Sequence, residues 1–255
     1  MIKVLLSNDD GVDAPGIASL YEGLQGVANL FVVAPEVNQS GAGSSITTNR
    51  PLKVKKYKEN FLSVNGKPSD CVHLGIHELC PWKPDLVISG INLGANMAED
   101  LLYSGTVGAA LEARSMLIPS IAVSAAAFEQ PGSYGLMEPN FDTATKVIRE
   151  ILEGINLNDI EPSVSLNINI PNVVYSTGLK KNLTTVGTWG PRNPPGNKQN
   201  SKGVLEYWTS HRSGYPENDF NSDISSLERN EISICPLYPN FMANSSSPLK
   251  GWITL

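Results

Sequence analysis

Two adjacent acidic residues, Asp9 and Asp10, follow the apolar N-terminal run and precede Gly11. Two neighbouring ionised carboxylates repel each other, and a hard divalent cation with oxygen ligands relieves that repulsion. Neighbouring side chains of a strand point to opposite faces, so both acids can approach one cation only if the chain turns there, which Gly11 permits. The pair therefore indicates a site for Mg²⁺ or Mn²⁺, and its simpler interpretation is a solvated turn or a helix cap.

Two later segments offer further oxygen ligands. Ser40 begins a run of small residues, 40–45, whose backbone N–H groups can approach an anion. Asn92 and Asn96 alternate with glycines in segment 90–96, and an amide carbonyl is an acceptable ligand for a hard cation. Each segment also has an ordinary interpretation: a flexible surface loop around Ser40, and a turn rich in Asn and Gly around Asn92.

A third segment, Ser104-Gly105-Thr106, opens a predicted helix. The first N–H groups of a helix have no partner within it, and together with the helix dipole they favour an anion. The segment therefore indicates a phosphate site, with plain N-capping by Ser104 as the alternative.

The elements that position these segments alternate along the chain. Strands are predicted near residues 2–6, 29–34, 85–89, 120–124 and 164–168, and helices over residues 15–23, 69–79, 106–117 and 141–153. Residues 51–64 have the pattern of a hairpin inserted after the second strand. The alternation predicts an α/β fold with a mostly parallel sheet, in which ligands bind beyond the carboxyl ends of the strands. The polar segments described above lie at those positions.

The composition changes to Gly, Pro, Asn, Ser and Lys over residues 185–221, which predicts an exposed arm or a long loop. Loops of that length usually serve function or assembly. An apolar pattern returns near residues 231–237 and predicts one last strand. We expect a single domain, with a core of about residues 1–184 plus that last strand and an arm of about residues 185–221.

The overall composition is that of an ordinary globular protein, with 255 residues, 41% of them apolar and 17% charged. The net charge of −6 argues against binding to polymeric nucleic acid, which depends on Lys and Arg. No export signal and no membrane span are recognisable, so a cytoplasmic location without a membrane partner is expected. Three cysteines without metal-ligand spacing predict buried reduced thiols.

Two other chemistries are disfavoured by the sequence. His73 and His77 lie four residues apart on a predicted helix, but no acidic residue joins them in a motif, which argues against a Ser-His-Asp arrangement. As a zinc pair they would need a third ligand, and packing or surface roles fit them better. Gly41 and Gly43 lack the spacing of a dinucleotide-binding loop. His211 lies alone in the predicted arm and indicates no particular chemistry.

Five blocks of the first half, taken together and in their order, resemble the SurE family of stationary-phase survival proteins, which are metal-dependent nucleotidases. The blocks are residues 6–17 (LSNDDGVDAPGI), 33–47 (VAPEVNQSGAGSSIT), 66–72 (GKPSDCV), 85–92 (DLVISGIN) and 103–107 (YSGTV). The resemblance implies a Rossmann-like three-layer α/β core with a mostly parallel sheet. It also implies a C-terminal extended arm or hairpin used in oligomerisation, giving a homodimer or homotetramer with exchanged C-terminal segments.

The resemblance also implies residue roles. Asp9, Asp10, Ser40 and Asn92 would hold one divalent metal ion per subunit, Mg²⁺ or Mn²⁺, with Asp9 and Asp10 as the catalytic residues. The residues that would bind the substrate phosphate are Asn96, Ser104, Gly105 and Thr106. One departure is Ala95, where the family more often has Pro, and it bears on the pose of Asn96.

The implied activity is hydrolysis of nucleoside 5′-monophosphates to nucleoside and phosphate by a 5′-nucleotidase. Nucleoside 3′-monophosphates and polyphosphate are further candidate substrates. One alternative is a nucleotide-binding or assembly protein that binds without turnover. Another is a glycosyltransferase-like or dinucleotide-dependent α/β enzyme, which the missing glycine motif and the missing acidic residue after the second strand disfavour.

Overall fold

The computed structural model describes residues 1–127, 138–191, 193–208 and 219–238. The strands in these ranges are β1 (Ile2–Ser7), β2 (Ala28–Pro35), β3 (Val54–Lys58), β4 (Phe61–Val64), β5 (Leu86–Leu93), β6 (Ser120–Ala125), β7 (Ser165–Ile170), β8 (Lys181–Leu183), β9 (Gly196–Gln199), β10 (Leu205–Trp208) and β11 (Ile232–Leu237). The helices are α1 (Pro15–Gly23), α2 (Pro68–Leu74), α3 (Gly105–Ser115), α4 (Phe141–Gly154) and α5 (Asp223–Glu228). Shorter helical turns cover Gly75–Leu79, Ala98–Leu102 and Leu157–Asp159.

The main sheet has the strand order β3-β4-β2-β1-β5-β6-β7-β11-β8. Its pairs from β4 through β7 are parallel, while β3 and β11 run antiparallel to β4 and β7. The prediction of a mostly parallel α/β sheet is confirmed. The chain leaves β1 toward β2 on one side and returns later to β5 on the other, so the point between β1 and β5 is a topological switch point, where such sheets bind ligands.

Helices cover both faces of the sheet, and β1 shows why. Val4 and Leu6 pack in the cluster that includes Ile17 of α1 and Ile148 of α4, whereas Leu5 packs with residues of α2 and α3. Successive side chains of a strand alternate between faces, so a continuous apolar run such as Val4–Leu6 requires cover on both sides. The predicted three-layer arrangement follows.

Short elements of the C-terminal half were absent from the sequence prediction. Strand β8 has three residues and helix α5 has six, too few to show a hydrophobic period. Within the predicted arm, β9 and β10 form a separate antiparallel hairpin. Such short elements depend on tertiary contacts more than on propensity, which is why the local sequence does not reveal them.

The three cysteines are free thiols, as predicted. Cys71 and Cys235 are buried and Cys80 is half-buried. Burial raises the pKa of Cys80 to about 12 and the pKa of Cys235 to about 11, so both thiols stay protonated at neutral pH. Within the described ranges, no helix combines the length and the apolarity needed to span a bilayer.

Candidate active site

Asp9 lies just beyond β1 and is 4% exposed. Its Oδ1 accepts a hydrogen bond from Oγ1 of Thr106, with 2.5 Å between the two oxygens. A Cβ atom at Gly105 would stand 2.7 Å from the Cβ of Asp9, so only glycine fits there. Burial raises the pKa of Asp9, and hydrogen bonds from the Thr106 side chain and from the N–H groups of Thr106 and Gly105 lower it in part.

Asp10 is half-buried beside Asp9. Its Oδ2 accepts the N–H of Leu93, at the end of β5, over 3.3 Å. Burial and the neighbouring charge of Asp9 raise the pKa of Asp10 to about 6. The chain turns here as the sequence analysis required: Gly11 has a φ of 114°, and Asn8 bonds both the N–H and the carbonyl of Gly11.

The loop that carries Ser40 contacts Asp9 through the backbone. The N–H of Gln39 donates to the carbonyl of Asp9 over 2.7 Å. Ser40 itself is exposed, and its N–H donates to Oδ1 of Asn38 over 2.8 Å. Further along the loop, the N–H of Gly43 donates to the carbonyl of Tyr103. The Ser40 loop therefore lies between the carboxyl end of β1 and the segment that leads into α3.

Asn92 lies near the end of β5, in register with Ser124 of β6. Its Nδ2 donates to the carbonyl of Gly94 over 2.7 Å, which fixes the orientation of the amide group. Leu93, the next residue, is the one that bonds Asp10. The four predicted metal ligands thus lie at or beyond the carboxyl ends of β1, β2 and β5, and their neighbours Gln39 and Leu93 bond Asp9 and Asp10.

Asn96 is buried on the other side of Ser124. Its Nδ2 donates to Oγ of Ser124 over 2.8 Å. Its backbone N–H donates to Oδ1 of Asn169, and its carbonyl accepts from the amides of Asn167 and Asn169 over 2.9 and 2.8 Å. Asn96 therefore bonds the residue of β6 that is in register with Asn92, and β7 fixes the backbone of Asn96.

Ser104 is the N-cap of α3, and its Oγ accepts the N–H of Val107 over 3.1 Å. The next two residues, Gly105 and Thr106, contact Asp9, and their N–H groups help to lower its pKa. The sequence analysis assigned these N–H groups to a phosphate. In the structure the positive end of α3 therefore faces a carboxylate of the protein, an arrangement that helix dipoles stabilise.

Residues 4–192 match the family model described as "Survival protein SurE". The chain belongs to the SurE family. Among its curated relatives, the 5′-nucleotidase SurE of Pseudomonas fluorescens (strain SBW25) is 38% identical over 253 residues, covering 99% of this chain and 98% of the relative. The 5′-nucleotidase SurE of Pseudomonas syringae pv. syringae (strain B728a) is 40% identical with the same coverage. A solved structure, the SurE protein from Aquifex aeolicus, is 36% identical with a TM-score of 0.81 and covers 98% of both chains.

This SurE-family site also contains buried polar residues that the sequence analysis missed. Asn167 and Asn169 belong to the strand Ser165–Ile170, and two amides on one face of an apolar strand are a signal that could have been noticed. Asp223 bonds the N–H of Ala98 over 2.9 Å, and Glu99 bonds the N–H of Trp189 over 2.8 Å. No local signal marks the role of Asp223, because Ala98 and Gly187, the partners that it joins to α5, lie far away in the sequence.

The histidine pair occupies a helix surface of this SurE-family chain. The rings of His73 and His77 are 4.8 Å apart, and Nδ1 of His73 lies 3.0 Å from Oε1 of Glu112 on α3. Glu112 is an acidic partner that no sequence motif revealed. The described part of the chain contains no group of three or more His, Cys, Asp or Glu side chains arranged to hold a metal. His211 lies outside the described residues.

Proposed function

We propose that this chain is a metal-dependent phosphomonoesterase that hydrolyses nucleoside 5′-monophosphates to nucleoside and phosphate. Its membership of the SurE family and the 5′-nucleotidase names of its relatives support the activity. The observation that carries the proposal is the contact between Asp9 and the N-terminus of α3, with Asp10 beside it at the switch point of the sheet. Such a position combines two acids with the dipole of a helix.

The donor set supports a hard divalent cation, Mg²⁺ or Mn²⁺. Two carboxylates, the hydroxyl of Ser40 and the amide oxygen of Asn92 would supply only oxygen ligands, which these ions prefer. Burial raises the pKa of Asp9, and burial with the charge of Asp9 raises the pKa of Asp10. A cation would relieve both effects, so the residues fit the metal. Because the set contains only two acids, Ser40 and Asn92 would have to complete the coordination shell of the cation.

The bound cation would supply Lewis-acid chemistry, polarising the phosphoryl group and increasing the acidity of water. The chain's own residues do the rest in this proposal. Ser104 uses its oxygen to cap α3, which leaves its O–H to donate to a phosphate oxygen. The buried Asn96 provides a second fixed polar group on the substrate side. One of the two aspartates accepts the proton of the attacking water.

Phosphate release from AMP, GMP and an aryl phosphate, with Mg²⁺ or Mn²⁺ and then with a chelator, tests this function. We expect release from the nucleotides that stops on chelation. Activity that survives chelation would contradict the metal, and AMP binding without phosphate release would favour the nucleotide-binding alternative. The same assay with 3′-AMP and polyphosphate tests the two further substrates.

We also propose that the chain is a single SurE-like domain and that it assembles as a homodimer or homotetramer by exchanging C-terminal segments. The hairpin of β9 and β10 pairs with itself and not with the main sheet. It exposes Leu205, Tyr207 and Trp208, with Tyr207 61% and Trp208 55% exposed. Clustered exposed apolar side chains are typical of surfaces that contact another protein. A second copy of this chain is the partner that the proposal assigns to them.

Light scattering on the purified chain tests the assembly. We expect a dimer or tetramer, and a smaller species after Tyr207→Ser together with Trp208→Ser. The matched control is Val174→Ser, which changes an apolar side chain exposed elsewhere on the body. A monomeric wild-type protein would contradict the assembly without affecting the proposed activity.

A further inference from the structure

Asp223, the first residue of α5, has no solvent exposure. Its carboxylate joins three segments of the chain. Oδ2 accepts the N–H of Ala98 over 2.9 Å, and Oδ1 accepts the N–H groups of Gly187 and Ile224, each also over 2.9 Å. Burial raises the pKa of Asp223, and these N–H groups lower it in part by favouring the charged form. One buried carboxylate thus orients several backbone donors.

The first of the three segments carries a substrate residue. Ala98 lies two residues after Asn96 and has a φ of 50°, a left-handed conformation that residues other than glycine disfavour. Its side chain is buried against Ile224 and Leu227 of α5. The bond to Asp223 holds Ala98 in this conformation, and the backbone of Asn96 is held from the other side by Asn169.

The second segment is the base of the arm. A Cβ atom at Gly187 would lie 2.8 Å from Oδ1 of Asp223, so the two groups are in tight contact. Two residues later, the N–H of Trp189 donates to Oε2 of Glu99, and Trp189 packs on the cluster that contains Ala98. The base of the arm and the loop of residues 94–98 therefore share one buried polar anchor and one apolar cluster.

We propose that Asp223 is a positioning residue: it holds the loop of residues 94–98 in register with the base of the arm and so sets the pose of Asn96. The inference rests on the proposed function, in which Asn96 contacts the substrate. The metal side of the site is held differently, since Asp9 and Asp10 receive their contacts from α3 and β5. Disturbing Asp223 therefore weakens nucleotide binding more than metal binding, because Asn92 is the one proposed metal ligand that bonds this loop, through the carbonyl of Gly94.

The substitution Asp223→Asn tests this separation. The new amide oxygen can still accept from Gly187 and Ile224, but its NH₂ group then faces the N–H of Ala98, and two donors cannot bond each other. We expect KM and the dissociation constant for AMP to rise roughly fivefold or more, because a buried N–H loses its partner. We expect kcat to change less than KM, and the Mn²⁺ dissociation constant, measured by calorimetry, to rise clearly less than the dissociation constant for AMP.

Asp219→Asn is the matched control. Asp219 also bonds the base of the arm, through Oγ1 of Thr185 and the N–H of Asn221, but no described bond links it to the loop of residues 94–98. We expect its KM for AMP to match the wild type. Gly187→Ala is a second variant, in which the new methyl group pushes against the carboxylate of Asp223. We expect it to weaken AMP binding as well, so it tests the proposal if Asp223→Asn does not fold.

The outcomes separate the two proposals. A folded Asp223→Asn or Gly187→Ala protein with wild-type affinity for AMP overturns the positioning role, as does an equal loss of AMP and Mn²⁺ affinity, which would indicate general loosening. Wild-type protein that binds AMP and releases no phosphate contradicts the proposed function alone, because the AMP dissociation constants of the variants still test Asp223.

Discussion

The N-terminal half of the chain supplies the side chains of the candidate site, and the C-terminal half supplies buried polar groups that hold one of these residues, Asn96, and its loop. Asp9, Asp10 and Ser40 lie in loops that follow the ends of strands, with Asp9 buried, Asp10 half-buried and Ser40 exposed. Asn169 and Asp223 lie beneath the site and bond backbone groups of the loop of residues 94–98. The first group determines which chemistry is possible, and the second determines where one substrate residue stands.

The two regions also differ in how their polar groups are satisfied. The carboxylate of Asp9 receives a hydroxyl and the N–H groups of a helix end, yet burial still raises its pKa. Asn169 has both its oxygen and its nitrogen bonded to one residue, Asn96. The neutral side chain of Asn169 is thus paired within the protein, whereas the buried carboxylates Asp9 and Asp223 both keep a raised pKa despite their hydrogen bonds.

The first prediction concerns Asp9→Asn, which removes charge from the N-terminal region and keeps the shape. We expect turnover of AMP to fall by roughly 10²–10³, because the residue loses the ligand charge, although its amide oxygen can still accept the hydroxyl of Thr106. Phosphate release with saturating Mn²⁺ measures this, and circular dichroism checks that the fold survives. Unchanged turnover would refute the assignment of Asp9 and with it the chemical role of the N-terminal region.

The second prediction concerns Thr106→Val, which removes only the hydroxyl that donates to Asp9. We expect kcat to fall roughly tenfold, because a hydrogen bond to a charged group contributes about 1.5–3 kcal/mol. Thr106→Ser should restore most of the activity. Thr143→Val is the control. Thr143 lies on α4, is as buried as Thr106, and donates to the carbonyl of Val173. An equal kcat loss in both variants would argue against a specific role.

The sequence predicted the parts of the molecule that depend on neighbouring residues. The strands and helices of the first half follow from hydrophobic period, and the N-cap at Ser104 follows from residue type. The turn at Gly11 is likewise local, since Asn8 closes it from three residues away. The gathering of polar loops at one edge follows from the rule for parallel sheets and needs no knowledge of contacts.

Asn169 and Asp223, the buried residues that hold the loop of Asn96, could not be predicted in this way. Asp223 and Ala98 are 125 residues apart, and Asn169 and Asn96 are 73 apart. A bond over such a separation depends on the register of β7, on α5 and on the path of the arm, none of which the hydrophobic pattern determines. The partner of Asp9 was missed for the same reason, because Thr106 is 97 residues away.

The third prediction tests the C-terminal supports with Asn169→Ala. The backbone of Asn96 loses two hydrogen bonds of 2.8 Å, and we expect KM for AMP to rise about fivefold at a stability cost of about 1–3 kcal/mol. The matched control is Asn140→Ala, which removes the N-cap of α4 and should cost about 1 kcal/mol without changing KM. If the two variants raise KM equally, the support by Asn169 is not specific.

The fourth prediction concerns Glu231, at the surface of the C-terminal half, and has the smallest expected effect. Hydrogen bonds from Lys180 and Arg229 lower the pKa of Glu231 from 4.5 to about 2. A carboxylate whose pKa falls on folding adds stability above its unfolded pKa and loses that contribution as the pH falls. We therefore expect Glu231→Gln to melt slightly below the wild type at neutral pH, and the difference to close between pH 4.5 and about 2.

Kinetic measurements on the same variant sharpen the comparison of the two regions. Because the described bonds of the Glu231 side chain go to Lys180, Asn182 and Arg229 and to no residue of the candidate site, we expect kcat/KM for AMP to stay within about twofold of the wild type. Glu228→Gln, the same change at an exposed neighbour on α5, is the control for both measurements. A kinetic defect in Glu231→Gln would mean that less buried polar contacts of the C-terminal half also position the site. Full burial, as at Asp223, would then not be what marks a positioning residue.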